Sequence, residues 1–226
     1  MNNYSILIPI HNELKSIYKL LDSIIIFKQQ GNEILIIDDG STDGSRELLL
    51  NSDLITLITL KVNQGKGFAI KQGLKKAKYD KIIIFDGDME LHPKQISKLM
   101  VLDRKNNINS VMGYRFKSLN PLGSDYDWGN FMFTSFFNII FKSNHKDILC
   151  CAKSFYFDKM MLKNINSNSF DIDVELSLIL TLKNRNRKIP QINLDYKRRS
   201  IKEGKKLKIS DGWIILGRII KMIKYI

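Results

Sequence analysis

Four short runs of apolar, mostly β-branched residues constrain the fold of this chain more than any other feature. They are YSILIPI (4–10), EILIIDD (33–39), LITLITLKV (54–62) and KIIIFDGD (81–88). Continuous apolar runs of this length are typical of strands buried on both faces. Segments of helical character follow them at 13–29, 43–51, 66–78 and 93–105. This alternation predicts an α/β fold, with a mostly parallel, doubly wound sheet flanked by helices.

Polar side chains follow three of the four predicted strands. The first strand leads into Pro9, His11 and Glu13, the second ends at Asp38 and Asp39, and the fourth ends at Asp86 and Asp88. Open parallel sheets bind ligands beyond the carboxyl ends of their strands, near the point where strand order reverses. We therefore expect a ligand site at this edge of the sheet.

The stretch IIIFDGDMEL (82–91) places carboxylates at alternate positions, Asp86, Asp88 and Glu90. If extended backbone continues past Phe85, these side chains converge on one side of the strand. Converging carboxylates need a cation between them, and hard divalent ions such as Mg²⁺ or Mn²⁺ prefer oxygen ligands. The alternative is that Asp-Gly forms a solvated turn.

The charge is unevenly distributed along the chain. The 226 residues suffice for one substantial domain, and the net charge is +13. From Lys183 onward there are fourteen Lys or Arg residues against three acids. Such a segment suits nucleic acid, anionic lipid or a polyphosphate ligand, or it is a solvated basic surface. Charge alone does not choose among them.

Two further features concern the cellular compartment. Cys150 and Cys151 are adjacent, so their Cα atoms lie about 3.8 Å apart, closer than an ordinary disulfide prefers. We expect reduced, partly buried thiols. The start of the chain lacks the basic residues and the long apolar run of a signal peptide. A cytoplasmic location is the expectation.

Ordered motifs in the first 115 residues or so resemble those of a known family. ILIPIHNE (6–13), EILIIDDGSTDGS (33–45), NQGKGFAIKQGL (63–74) and IIIFDGDME (82–90) resemble, in that order, the motifs of family 2 inverting glycosyltransferases with the GT-A fold. GYRF (113–116), SFDIDVELSLIL (169–180) and YKRRSIKEGKK (196–206) match less well. These three resemble the branch that charges polyprenyl or dolichyl phosphate with mannose or glucose.

The resemblance implies a GT-A (Rossmann-like) domain over residues 1–205 that binds a UDP- or GDP-hexose. Its nucleotide-sugar-binding residues would be Pro9, His11, Glu13, Asp39, Lys66, Asp86, Gly87 and Asp88. Asp86, Asp88 and Glu90 would hold Mg²⁺ or Mn²⁺, which acts as a Lewis acid for the leaving diphosphate. The alternative for His11 is an ordinary loop or packed histidine.

The same resemblance implies catalytic roles for Asp88, Asp173 and Arg199. Positive charge for an acceptor phosphate would come from Arg115, Arg199 and Lys205, with Ser200 beside them. A lipid phosphate attacks without a base, whereas a sugar hydroxyl needs a carboxylate to take its proton. Asp171, Asp173 and Glu175 are the candidate bases, and Asp173 is favoured because it falls on the Asp of the family's motif. The alternative is that Asp171 caps the helix that follows and Glu175 faces solvent.

Two segments bear on membrane contact. WGNFMFTSFFNIIF (128–141) is too short for the roughly 20 residues that cross a bilayer. Residues 206–226 predict a basic amphipathic helix, with Arg218, Lys221 and Lys224 on one side and apolar residues on the other. This pattern favours an interfacial helix on an anionic membrane, and packing against the protein's own sheet is the alternative.

Transfer of a hexose to polyprenyl phosphate, with inversion, at the cytosolic membrane face is therefore the predicted function. One departure leaves the acceptor open, because DILCCAK (147–153) has Cys151 and Ala152 where the family has Gly and Phe. The alternative acceptor is a hydroxyl of a cell-surface glycan or a lipid-linked saccharide.

Three other points complete the prediction. A noncatalytic basic protein that binds nucleic acid or membrane leaves the acidic motifs unexplained, so no nucleic acid is expected. Haloacid dehalogenase phosphatases continue their Asp-x-Asp with Gly-Thr, whereas Met89 and Glu90 follow here. The oligomeric state is left open.

Overall fold

A computed structural model describes residues 3–116, 124–185, 187–200 and 211–225. Seven strands form one sheet, in the order β3-β2-β1-β4-β6-β5-β7. The strands are β1 (Ser5–Ile10), β2 (Glu33–Asp38), β3 (Thr56–Thr59), β4 (Lys81–Ile84), β5 (Ser110–Tyr114), β6 (Lys153–Tyr156) and β7 (Gln191–Asn193). From β3 through β4 all neighbours are parallel, β6 runs antiparallel to β4 and β5, and β7 is parallel to β5. The predicted mostly parallel α/β sheet is confirmed.

Strand order reverses at β1. The chain moves outward from β1 to β2 and β3, then returns to place β4 on the other side of β1. Because the ends of β1 and β4 diverge into loops on opposite routes, a crevice opens between them. This point positions the site described below.

The described residues form seven α-helices around the sheet. They are α1 (Leu14–Gln29), α2 (Ser45–Leu50), α3 (Lys66–Lys76), α4 (Ile96–Leu99), α5 (Asp125–Phe141), α6 (Ile172–Lys183) and α7 (Asp211–Met222). Short 3₁₀ turns span Pro93–Gln95, Lys159–Asn164 and Ile223–Tyr225. Among the described helices, none has both the length and the apolar character needed to cross a membrane.

The predicted helix over 93–105 is wrong beyond Leu99. Asp103 accepts hydrogen bonds from the backbone N–H of Lys105 (2.8 Å) and of Asn106 (3.4 Å), and Asn107 has φ of 59°. These local bonds favour a turn over a helix. The third and fourth strands are also shorter than the predicted runs 54–62 and 81–88.

The core has one layer on each face of the sheet. Successive side chains of β1 point to opposite faces of the sheet, so that Ile6 and Ile8 pack with α1 while Leu7 packs with α3 and α6. A third cluster joins α5, α6 and α7 through Phe137, Ile148, Val174, Leu178, Ile215, Ile219 and Met222. Cys150 and Cys151 are free and buried, as expected.

The C-terminal helix packs on the domain, against α5 and α6 rather than against the sheet. The predicted boundary at 205/206 lies outside the described residues. Arg218 does not share an outer face with Lys221 and Lys224, because its guanidinium turns inward to Asp171 and Glu175. Ile220 and Ile223, predicted for the opposite, apolar side, are exposed.

Candidate active site

The DGDME segment is a turn. β4 ends at Ile84, and Met89 has φ of 63°, so the backbone past Phe85 is not extended and the alternative, a turn at Asp-Gly, is the one observed. The N–H of Glu90 donates to Asp88 Oδ1 at 3.0 Å, which closes the turn. Gly87 lies against β1, where a Cβ would stand 2.5 Å from Ile10 Cγ2. The turn and the ligand site are therefore compatible: the turn directs its acids into a cleft.

This cleft has a volume of about 880 Å³ and lies at the carboxyl ends of the parallel strands. All but two of the predicted site residues line it: Pro9, His11, Glu13, Asp39, Lys66, Asp86, Gly87, Asp88, Glu90, Arg115, Asp173 and Arg199. Ser200 is exposed and is not among the lining residues, and Lys205 lies outside the described residues. The volume suits a small-molecule ligand.

The loops after β1 and β2 are fastened to each other. The backbone N–H of Asn12 donates to Ser41 Oγ, and that of Glu13 to Ser45 Oγ, both at 2.9 Å. Asp39 receives the N–H groups of Gln64 and Gly65, one on each carboxylate oxygen, at 2.8 Å. These bonds give the cleft a fixed floor before any ligand enters.

Lys66 joins two carboxylates at the centre of the cleft. Its Nζ lies 2.9 Å from Asp86 Oδ2 and 2.9 Å from Asp173 Oδ2. Burial lowers the pKa of Lys66, but the charges of Asp173 and Asp86 outweigh it and hold that pKa well above its ordinary value. The other oxygen of each carboxylate, Oδ1, is buried and has no hydrogen-bond partner among the described residues.

Arg199 joins a second set of acids. Its Nη1 lies 2.8 Å from Glu13 Oε2, its Nη2 lies 3.0 Å from Asp88 Oδ2, and its backbone N–H donates to Glu90 Oε1 at 2.9 Å. Burial, with the charges of Asp86 and Glu90, raises the pKa of Asp88 to about 6, and the charge of Arg199 opposes this shift. The acids of the cleft are thus crowded and only partly neutralised.

The residues present fit a divalent cation that arrives with phosphate groups. Within the described part of the chain, no group of three or more His, Cys, Asp or Glu side chains is placed to hold a metal alone. Mg²⁺ is usually bound by one or two carboxylates together with substrate phosphates. Asp86, with Oδ1 unpartnered, and Asp88 supply such a pair. Glu90 as a third ligand stays a prediction.

The opposite wall of the cleft is built from ion pairs. Arg115 donates through Nε and Nη2 to Asp147 at 2.8 and 3.0 Å, and Asn130 donates to the same buried carboxylate at 3.0 Å. Arg198 pairs with Asp127 on the first turn of α5. Much of the donor capacity predicted for an acceptor phosphate at Arg115 is therefore engaged with Asp147.

Asp173 differs from the two acids beside it. Asp171 makes no side-chain cap bond; it accepts from Ser167 Oγ and, at 2.6 Å, from Arg218 Nε. Glu175 is 1% exposed, not solvent-facing, and accepts from the N–H of Ser167 at 2.8 Å. Through these bonds Asp171 and Glu175 hold α7 and the loop before α6. Of the three acids, only Asp173 lines the cleft.

Sequence patterns missed several residues of this wall. Tyr126 and Asn130 of α5, Ile215 of α7 and Tyr196 after β7 all line the cleft. Asn130 carried a signal, because it is a polar residue within the apolar run 128–141. The others had none, since their positions depend on how distant segments pack.

The sheet and its acid-lined cleft together define a glycosyltransferase of the GT-A type. A family model described as "Glycosyl transferase family 2" matches residues 5–165. The chain belongs to this family, which confirms the resemblance of its motifs to family 2. The branch that acts on polyprenyl phosphate stays a prediction.

Similar proteins come from bacteria. The poly-beta-1,6-N-acetyl-D-glucosamine synthases of Staphylococcus aureus strains COL and MRSA252 are each 35% identical over 92 residues. That match covers 39% of this chain and only 22% of each synthase.

Solved structures share the fold over nearly the whole chain. Mycobacterium tuberculosis glucosyl-3-phosphoglycerate synthase with phosphoglyceric acid superposes with a TM-score of 0.72 at 15% identity, covering 98% of this chain and 80% of that one. Its complex with Mn²⁺, UDP and phosphoglyceric acid gives 0.71 at 15% identity, covering 98% and 78%. This likeness confirms the predicted GT-A fold.

Proposed function

We propose that the protein transfers a sugar from a nucleoside-diphosphate sugar to a hydroxyl group of its acceptor, with inversion, and that Asp173 is the general base. The observation that carries this proposal is the environment of Asp173. Asp173 lines the cleft; one of its carboxylate oxygens is held by Lys66 at 2.9 Å, and the other, Oδ1, is buried and has no hydrogen-bond partner among the described residues. A carboxylate fixed through one oxygen keeps the other as its remaining proton acceptor.

The donor would lie along the strand-end loops. Asp86 and Asp88 would hold Mg²⁺ or Mn²⁺, which supplies Lewis-acid stabilisation to the diphosphate. Structures of the mycobacterial neighbour with UDP contain Mn²⁺ or Mg²⁺, which supports this choice of cation and a UDP-sugar donor. Lys66 and Arg199, which pair with Asp86 and Asp88, would supply two positive charges to the leaving diphosphate.

The acceptor step is a single displacement. The acceptor oxygen forms a bond to the anomeric carbon as the bond from that carbon to the diphosphate oxygen breaks. Asp173 takes the hydroxyl proton, and the hydrogen bond from Lys66 Nζ orients its carboxylate for this transfer. Names of the similar proteins support a hydroxyl acceptor, because they describe a glucosamine polymer and a glucosylated phosphoglycerate.

Polyprenyl phosphate is the second candidate acceptor. The guanidinium groups of Arg115, Arg198 and Arg199 favour it, because all three line the same cleft. A phosphate oxygen is already ionised near neutral pH, so Asp173 would not be needed as a base. The two candidates therefore predict different consequences for the same substitution.

Asp173→Asn tests the choice of acceptor. With Mn²⁺ and UDP-sugars, transfer to β-1,6-linked glucosamine oligosaccharides or to 3-phosphoglycerate should fall by about 100-fold or more, because general-base catalysis contributes this much. UDP binding, measured by calorimetry, should change little. The matched control is Asp80→Asn, an exposed acid paired with Arg104 outside the cleft, which should keep wild-type activity.

The opposite outcome is equally specific. If the wild type glycosylates only polyprenyl phosphate in detergent, and Asp173→Asn does so at the wild-type rate, the hydroxyl proposal is wrong and the second candidate holds. Thermal unfolding of each variant separates loss of catalysis from loss of fold.

A further inference from the structure

Two neighbouring helices present apolar side chains to solvent. Gly212 at the start of α7 packs on Phe133 of α5, so the two helices lie side by side. Their exposed apolar residues, which we call the α5–α7 surface, are Trp128, Phe131, Met132, Phe136 and Ile139 from α5, and Trp213, Ile214, Ile220, Ile223 and Tyr225 from α7 and its final turn. Single exposed apolar residues are ordinary, whereas a concentration on two adjacent helices marks an interaction site.

Both tryptophans of the chain belong to this surface. Trp128 is 54% exposed and Trp213 is 78% exposed. Tryptophan is usually well buried in a protein that meets only water, because its ring carries a large apolar area. Its amphipathic ring is enriched at the boundary between membrane and water.

The charges at the C-terminal ends of α5 and α7 are basic, whereas the acids Asp127 and Asp211 lie at the N-terminal ends. Lys142 ends α5, and Lys221 and Lys224 lie on α7 and its final turn; all three are exposed. No Asp or Glu occurs in α5 after its first turn or in the chain from Gly212 onward. Anionic lipid headgroups complement these exposed lysines.

We propose that the α5–α7 surface docks the protein peripherally on an anionic phospholipid bilayer. The inner sides of the same helices contribute Tyr126, Asn130 and Ile215 to the cleft. Docking therefore brings the cleft beside the headgroups, where an acceptor carried on a lipid presents its polar end. The inference concerns location and needs neither the donor nor the transfer step.

Vesicle flotation of the 226-residue chain, without metal or nucleotide, tests the docking. Vesicles of phosphatidylcholine with phosphatidylglycerol should bind at least about tenfold more protein than vesicles of phosphatidylcholine alone, and added salt should reduce the difference. Tryptophan fluorescence should shift to shorter wavelength on binding, and Trp128→Phe and Trp213→Phe assign the shift to each ring.

Paired variants identify the surface. Trp213→Ser with Ile220→Ser should lower vesicle binding by about tenfold, and so should Lys221→Gln with Lys224→Gln. The matched control is Leu50→Ser with Val62→Ser, which removes equally exposed apolar side chains from other elements. The control should bind like the wild type. All variants should keep wild-type transfer to a water-soluble acceptor, so a failure of docking is distinct from a failure of the proposed reaction.

Three results would overturn the proposal. One is the absence of binding to anionic vesicles by the folded wild type. Another is an equal loss of binding in the Leu50 and Val62 control. The third is a dimer, seen by analytical ultracentrifugation and abolished by the Trp213 and Ile220 changes, in a protein that ignores vesicles; this would assign the surface to a second copy of the chain.

Discussion

The strand-end loops (9–13, 38–45 and 86–90) and the helical wall (α5, α6 and α7) face each other across one cleft but are built differently. The loops after β1 and β2 are tied by bonds between residues about thirty positions apart, such as Asn12 with Ser41. The wall depends on charge pairs between more distant residues, such as Arg198 with Asp127, 71 positions apart. A short motif can specify the first kind of structure, whereas the second needs partners that no local pattern reveals.

Lys66 connects the two regions, and Arg199 ties the segment after β7 to the strand-end loops. Lys66 bridges Asp86 of a strand-end loop and Asp173 of the wall, and Arg199 reaches Glu13 across 186 positions. The chemistry therefore needs both regions in register. A substitution in the strand-end loops should therefore lower the rate of transfer. One at the junction of loops and wall should lower the free energy of unfolding, and one beside the wall should change how that free energy depends on pH.

The largest effect on the transfer rate is expected at Asp88, which belongs to the strand-end loops. Asp88→Ala should lower metal-dependent transfer by about 1,000-fold, because preorganised charge at a leaving group contributes this order of magnitude. The unfolding temperature without metal should stay near that of the wild type. The raised pKa of Asp88 means that its surroundings, taken together, disfavour the ionised carboxylate. Asp80→Ala is the exposed control, and wild-type activity in Asp88→Ala would remove the proposed metal site.

The next effect concerns the junction at Gly65. This residue has φ of 96°, and a Cβ there would stand 2.2 Å from the carbonyl oxygen of Asn168, in the loop before α6. Gly65→Ala should cost about 2–4 kcal/mol of unfolding free energy, from left-handed strain and overlap with backbone. Urea unfolding measures the loss.

Gly217→Ala is the matched control for that substitution. Gly217 lies within α7, where a Cβ would meet nothing within 4 Å. The same chemical change should stabilise the protein by up to about 1 kcal/mol, because alanine favours a helix over glycine. Equal effects at the two positions would mean that loop and wall are not in contact at Gly65.

The smallest effect concerns His145, which is buried against the wall, with its ring beside Phe137 of α5 and its Nε2 2.8 Å from Thr181 Oγ1 of α6. Burial lowers the pKa of His145 to about 4, with a contribution from Lys153. The unfolded chain, with a pKa near 6.5, binds the proton more readily, so stability falls as pH drops below 6.5. Between pH 7 and 5 this group should cost about 2 kcal/mol.

A comparison of the wild type with His145→Gln isolates the contribution of His145 to the pH dependence of stability. The variant should lose less stability than the wild type over the same pH range, as measured by urea unfolding at each pH. Asp88, whose raised pKa acts in the opposite direction, is present in both proteins and cancels in the difference. Parallel pH profiles for the two proteins would show that His145 does not stay neutral in the fold.

The sequence by itself determined the sheet, most of the helices that cover it, the family and the acids of the strand-end loops. These follow from patterns that repeat every two or 3.6 residues and from motifs that act over a few positions. Asp86 and Asp88 line the cleft even though their backbone forms a turn, because carboxylates at the end of a buried strand lie at the same edge of the sheet in either conformation.

Only the tertiary structure decided the wall. Arg218 turns inward, Glu175 is buried and Asp147 holds Arg115, because each finds an opposite charge on a segment distant in sequence. Burying a charge is favourable only with such a partner, and which partner is available depends on how the helices pack. Helical periodicity placed Arg218 with the exposed lysines, because periodicity describes the spacing of residues along one helix. It carries no information about the charge that faces each residue from a neighbouring segment.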